Sequence, residues 1–160
     1  MEDYKGEDGW CLSLELYSEI RDRVKHGSTI LEFGSGAGTE ALSKYYKMIS
    51  IEQDLNYMDQ YESKYYHVLV EHGWFNYKKI RQILNENHYD AIVVDAPTKL
   101  SGGRLGMLTI IDEFKKVPMF FDDVQRPDEL KLYKYFCKYY GIEEIIIGGG
   151  KKQFGVLCFQ

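Results

Sequence analysis

The chain has 160 residues, 44% of them hydrophobic and 15% aromatic, with a formal net charge of −5. That length fits one domain with a sizeable core, and the Tyr-rich apolar composition argues against disorder. The acid excess argues against a protein that grips long nucleic acid through a basic face; the short runs Lys78-Lys79, Lys115-Lys116 and Lys151-Lys152 read as solvated helix or turn edges. Cys11, Cys137 and Cys158 are widely spaced, form no disulfide or zinc pattern, and fit a reducing cytoplasm. No apolar run approaches a membrane span, and the acidic start Met1-Glu2-Asp3 is not signal-like, so no membrane partner is expected.

In chain order, the spacing predicts a helix over 13–25, with Leu14, Leu16, Tyr17 and Ile20 as its apolar stripe and His26-Gly27 as its stop. A strand at 29–33 runs into Gly34-Ser35-Gly36-Ala37-Gly38 and a helix over about 38–46. A second strand, 48–51, ends in Glu52; Asp54 can cap a helix that runs to Lys64. A third strand is expected at 66–70. A helix over 77–86 then carries Ile80, Ile83 and Leu84 at helical spacing. The fourth strand, 90–95, is a continuous apolar run of the kind buried on both faces of a parallel sheet. Residues 105–115 read as helix and 117–121 as the fifth strand. Pro127 suits a helix start, and that helix continues to Tyr140 and stops at Gly141. Strands at 142–147 and 154–159 close the chain.

Seven strands with helices between the first six give a doubly wound, mostly parallel α/β sheet. Residues 148–153 are too few for a parallel crossover, so the last strand must return as an antiparallel hairpin. One domain over 1–160 is expected, with 1–27 as an N-terminal helical lid and 28–160 as a cofactor-binding core.

Ligands of such sheets occupy the crevice at the carboxyl ends of the strands. Glu32 with the glycine turn, Glu52-Gln53, Asp95 and Asp122-Asp123 all fall there. Glycines let backbone approach a ligand closely, and an acid at the next strand tip suits the two hydroxyls of a ribose. Glu32, two residues before the first glycine, would repel a pyrophosphate but can accept from an ammonium. On Glu32-Phe33-Gly34-Ser35-Gly36-Ala37-Gly38 the chain resembles class I S-adenosylmethionine-dependent methyltransferases, whose first motif has the form E/D-x-G-x-G-x-G. The resemblance runs from about Ile30 to the end and includes the antiparallel last strand. It implies a Rossmann-like methyltransferase fold and S-adenosylmethionine as cofactor. Glu32, Gly34, Ser35, Gly36 and Gly38 would meet its methionine part, Glu52 the ribose and Gln53 the adenine. His72 would approach the adenine and Asp95 the sulfonium. A sheet-edge turn with solvated acids is the alternative.

Asp95, Asp122 and Asp123 offer oxygen ligands from two neighbouring strand tips, a set that suits Mg²⁺ or another hard divalent metal. The same three residues resemble those of metal-dependent O-methyltransferases of the catechol and macrocin sugar types. That likeness implies an acceptor hydroxyl held and acidified by the metal; the alternative is that Asp122-Asp123 caps the following helix. Asp95-Ala96-Pro97-Thr98 lacks the second proline and the aromatic residue of amine-methylating enzymes, which favours oxygen. Asp95-x-Pro97, Arg104 and the run from Asp122 through Arg126 to Glu129 resemble a glycan and small-molecule O-methylating subset. Lys99 and His72 are candidate general bases, with Lys99 otherwise a surface-loop lysine. Arg104 and Arg126 would bind an anionic substrate or neutralise the acids. Trp10 would cover the cleft or pack the first helix. The Tyr-rich helix around Tyr133 and Tyr135 offers core, sugar stacking or a homo-oligomer interface. The expected function is O-methylation of a small-molecule acceptor such as a sugar or glycan. A metal-independent N-methyltransferase and a non-catalytic cofactor-binding scaffold are the alternatives.

Overall fold

The structure, a computed structural model, describes residues 12–149 and 151–159; Trp10 and Cys11 lie outside the described residues. The elements in chain order are α1 (Leu14–Arg23), β1 (Thr29–Phe33), α2 (Ala37–Ser43), β2 (Lys47–Glu52), β3 (Lys64–His67), β4 (Val70–Glu71) and β5 (Trp74–Phe75). There follow α3 (Tyr77–Glu86), β6 (Ala91–Val94), β7 (Met119–Phe121), α4 (Pro127–Tyr140), β8 (Ile145–Gly149) and β9 (Lys152–Leu157). Seven strands form one sheet in the order β3-β2-β1-β6-β7-β9-β8. All pairs from β3 to β7 are parallel, and β9 lies antiparallel between β7 and β8. The expected doubly wound sheet with a terminal hairpin is the architecture observed.

Continuous apolar strands are explained by cover on both faces. Leu31, Phe33, Ile92, Val94, Met119 and Phe121 face one way, onto Ile80, Ile83 and Leu84 of α3 and Leu132, Tyr133 and Phe136 of α4. Ile30, Met48, Ala91, Val93 and Phe120 face the other way, onto Leu16 and Ile20 of α1 and Leu42 of α2. Among the described residues no helix is long and apolar enough to cross a membrane.

Three expectations shift, each for a local reason. Asp54 caps only a 3-10 turn, Leu55–Tyr57, by accepting from the Asn56 N–H at 2.9 Å. None of residues 55–63 is buried, so no packed apolar face holds a helix down there. The third strand begins at Lys64 and ends at His67, because His72 (φ 53°) and Gly73 (φ 90°) make a two-residue turn that folds Val70–Glu71 back onto Trp74–Phe75. Positive φ at both central positions is what a tight hairpin of this twist requires. Residues Leu105–Glu113 are 3-10 rather than α-helical and break at Ile110.

The phenol of Tyr133 fastens α4 to the terminal hairpin: its one proton is shared between Ile145 O and Val156 O, and its oxygen accepts from the Ile145 N–H. Tyr133→Phe strands those buried partners. It should lower the free energy of unfolding by about 1–3 kcal/mol in urea titrations, without loss of secondary structure by circular dichroism.

Candidate functional site

The carboxyl ends of β1, β2, β6 and β7 surround one cleft of about 740 Å³. A smaller recess lined by Glu32, Gly36, Thr39 and Asp95 opens beside it. Gly34 begins the turn after β1 at φ 98° and lies so close to the β6 tip that a Cβ there would stand 2.9 Å from Ala96 Cβ. Only glycine satisfies both demands. Gly36 is different: its backbone is extended and a Cβ would meet nothing within 4 Å among the described residues, while the residue lines both the cleft and the recess. The bare backbone therefore borders ligand space. Gly38 packs under Leu12.

The two acids at this end are held in opposite ways. Glu32 is buried, and its Oε1 accepts from Thr39 Oγ1 at 2.7 Å and Ser50 Oγ at 2.5 Å. Loss of hydration outweighs those two hydroxyls and pushes its carboxyl up to about 8, so it is mostly neutral at pH 7. Glu52 is equally buried but accepts from backbone: Ser35 N at 3.0 Å on one oxygen, Gln53 N at 2.7 Å and Asp54 N at 2.8 Å on the other. This clamps the glycine turn to the end of β2. Gln53 lines the cleft next to it, and its Oε1 is buried without a hydrogen-bond partner among the described residues. Thr39, Ser50, Asp54, Tyr57 and Tyr61 join the site without having been singled out in the sequence. Only adjacency to the glycine turn and to Glu52 could have marked them.

The register of β3 decides which histidine comes close. His67, at the strand tip, donates from Nε2 to Gln53 O at 3.0 Å. His72 sits exposed in the β4–β5 turn, outside the cleft lining. Lys99 is also displaced: its side chain is 84% exposed and stands 3.9 Å from Asp128, while Thr98 and Ser101 line the cleft in its place.

At the acceptor end the three aspartates come together, with ligand oxygens all within 4.8 Å of one another. They are met by three cations of the chain. Arg104 is buried; its NH1 donates to Asp122 O at 2.7 Å, and its NH2 to Asp95 O at 2.5 Å, Asp95 Oδ1 at 3.1 Å and Asp123 Oδ2 at 3.3 Å. Arg126 NH1 stands 3.0 Å from Asp123 Oδ2, and Lys152 Nζ 3.0 Å from Asp122 Oδ2 and 4.0 Å from Asp123 Oδ1. Burial pushes the carboxyl of Asp122 upward against Lys152. The carboxyl of Asp95 is raised by burial first and by Asp122 next, with Arg104 opposing. Because the Asp95 side chain is 35% exposed to the cleft, water blunts that rise.

Arg104 thus spends both terminal nitrogens on strand tips rather than reaching for substrate. Lys152, expected to be a solvated turn edge, is drawn into the cluster. Neither aspartate caps α4, whose N-cap is Arg126 and whose first turn receives no side-chain bond from them. Arg104, Arg126 and Lys152 stand 3.0–4.0 Å from these carboxylates, so three cations of the chain already occupy the ground around the three aspartates.

No family model matches the sequence, and no curated protein matches it. Solved structures do match in fold. The Mtq2–Trm112 complex of E. cuniculi, responsible for methylating the eRF1 translation termination factor, aligns at TM-score 0.56 and 14% identity over 89% of this chain and 90% of that one. The S-adenosylhomocysteine-bound methyltransferase PaMTH1 of Podospora anserina aligns at 0.52 and 16%, over 91% and 77%. MycE of the mycinamycin biosynthetic pathway, solved with Mg and S-adenosylhomocysteine, aligns at 0.52 and 12% over 88% of this chain, which spans only 47% of that protein. At such identities the likeness is one of architecture: the chain has the Rossmann-like fold of the S-adenosylmethionine-dependent methyltransferases.

Proposed function

We propose that the chain is an S-adenosylmethionine-dependent methyltransferase acting on an oxygen of a small hydroxylated acceptor, a sugar or glycan being the leading class. The observation that carries this reading is the cleft at the strand tips. A side-chain-free turn at Gly36, the clamped carboxylate of Glu52 and the unpartnered Gln53 Oε1 border one space. Each suits one part of the cofactor. Gln53 Oε1 needs a donor of the kind an exocyclic amine offers, Glu52 can accept from ribose hydroxyls, and Glu32 lies where an ammonium would draw out its proton. When bound, the cofactor supplies an electrophilic methyl group on a sulfonium. The chain's own contribution is to orient the acceptor oxygen in line with that group and to keep the reaction centre enclosed.

The loop after β6 favours oxygen over nitrogen. Thr98 and Ser101 line the cleft there, hydroxyls in place of the aromatic ring that would hold an amine. Asp95 faces both halves of the cleft and is the candidate to hold or accept the acceptor's proton, since Lys99 is turned away. A second reading is an acceptor site completed by another protein; one fold neighbour is a complex with a partner subunit. A cytoplasmic location suits Cys137 and Cys158, which are not disulfide-bonded.

Calorimetry with S-adenosylhomocysteine should show one-to-one binding, and the absence of any heat would sink the assignment. Gly36→Val should keep the melting temperature, because its Cβ meets nothing among the described residues, yet weaken that binding by more than about tenfold by filling ligand space. Affinity for S-adenosylmethionine should rise with pH up to about 8, above which the ligand's own ammonium loses its proton. The sign follows because Glu32 holds its proton below that value and an incoming cation favours the carboxylate. Binding in two buffers of different ionisation enthalpy should reveal proton release at pH 7, lost in Glu32→Gln.

A further inference from the structure

Buried carboxylates need cations or hydrogen-bond donors to meet them, and at the acceptor end of this cleft a cation of the chain stands against them. Lys152 is the first residue of β9. The next residue is tied on both sides to the loop after β7: Gln153 N donates to Gln125 Oε1 at 2.7 Å, and Val124 N donates to Gln153 O at 2.9 Å. Those bonds set the ammonium against Asp122 Oδ2, which belongs to an almost wholly buried side chain. Asp123 takes a left-handed conformation, φ 62°, that non-glycine residues rarely adopt. That backbone aims its carboxylate at Arg104, Arg126 and Lys152 and at Gln125 Nε2, 3.2 Å away. A strained residue at a strand tip marks a position whose side-chain direction matters.

We propose that the Lys152 ammonium is the resident counter-charge of Asp122 and Asp123 and stands where a dication would otherwise bridge them, so that this cleft works without a metal. A dication ligating these carboxylates at about 2.0–2.6 Å would stand close to the ammonium and be repelled by it. Resting on the transferase reading, the role extends to the acceptor. Lys152 and Arg126 both line the cleft, so N–H donors, rather than a metal ion, would orient an acceptor hydroxyl or carboxylate oxygen. Lys152 is a positioning residue in this scheme.

Mn²⁺ is the probe, titrated into the full chain at neutral pH and followed by electron paramagnetic resonance. The wild-type protein should take up no stoichiometric Mn²⁺ below about 1 mM. Lys152→Met should bind it at least about tenfold more tightly than wild type, Lys152→Arg should not, and Asp122→Asn added to Lys152→Met should abolish the gain. One-to-one uptake by the wild type at micromolar Mn²⁺, lost in Asp122→Asn, would overturn the proposal without relying on any lysine variant. So would Lys152→Met that binds S-adenosylhomocysteine as wild type does but gains no Mn²⁺ affinity. Because S-adenosylhomocysteine binding is read separately, its failure in the wild type would remove the transferase reading and leave the counter-charge result to stand on the Mn²⁺ data.

Discussion

Carboxylates gathered at the open end of a parallel sheet repel one another and lose hydration, a cost of several kcal/mol for each charge left unmet. In this molecule Arg104 meets that cost at the point where β6 and β7 end. Its guanidinium binds the carbonyls of Asp95 and Asp122 as well as the carboxylates of Asp95 and Asp123. One planar fork therefore fixes the spacing of two strand tips and neutralises the acids they carry, a task for which a point charge on a flexible stem would be poorly suited. The shape of the acceptor half of the cleft follows from that bracket.

The cofactor half is organised by a different solution to the same problem. Glu52 accepts from three backbone N–H donors, whereas Glu32 is surrounded by hydroxyls and mostly gives its charge up. Two acids at neighbouring strand tips beside the same glycine turn thus present different chemistry, one an acceptor from backbone and the other a group whose ionisation a cationic ligand would favour. The difference arises from what surrounds each side chain, backbone amides at a strand end in one case and apolar sheet in the other.

The terminal hairpin links these local arrangements to the sheet as a whole. β9 lies antiparallel to β7 and brings Lys152 to the tips of strands that come much earlier in the chain. The same hairpin is held to α4 by the phenol of Tyr133. Packing of the last helix and electrostatics of the cleft are therefore coupled through a few residues of one edge element. The solved structures compared above share its architecture at 12–16% identity, as expected when a sheet topology tolerates wide change in the side chains that fill it.

Much of the architecture was legible in the residues alone. Apolar runs such as 90–95 announce strands buried on both faces, Pro127 and Gly141 bracket α4, and the short connection over 148–153 forces an antiparallel return. Glu32, the glycine turn and Glu52 could be placed at one cleft because strand ends in such a sheet share an edge. What periodicity could not supply was register and long-range pairing. A turn with positive φ at His72 and Gly73 pulls His72 out of reach and leaves His67 at the tip of β3. Lys152 reads in the sequence as one of two lysines on a turn, and nothing near it in the chain reveals the aspartates it will meet. Which face a residue occupies is written in its local pattern, but which charge it finds there is set only when strands far apart in sequence lie side by side.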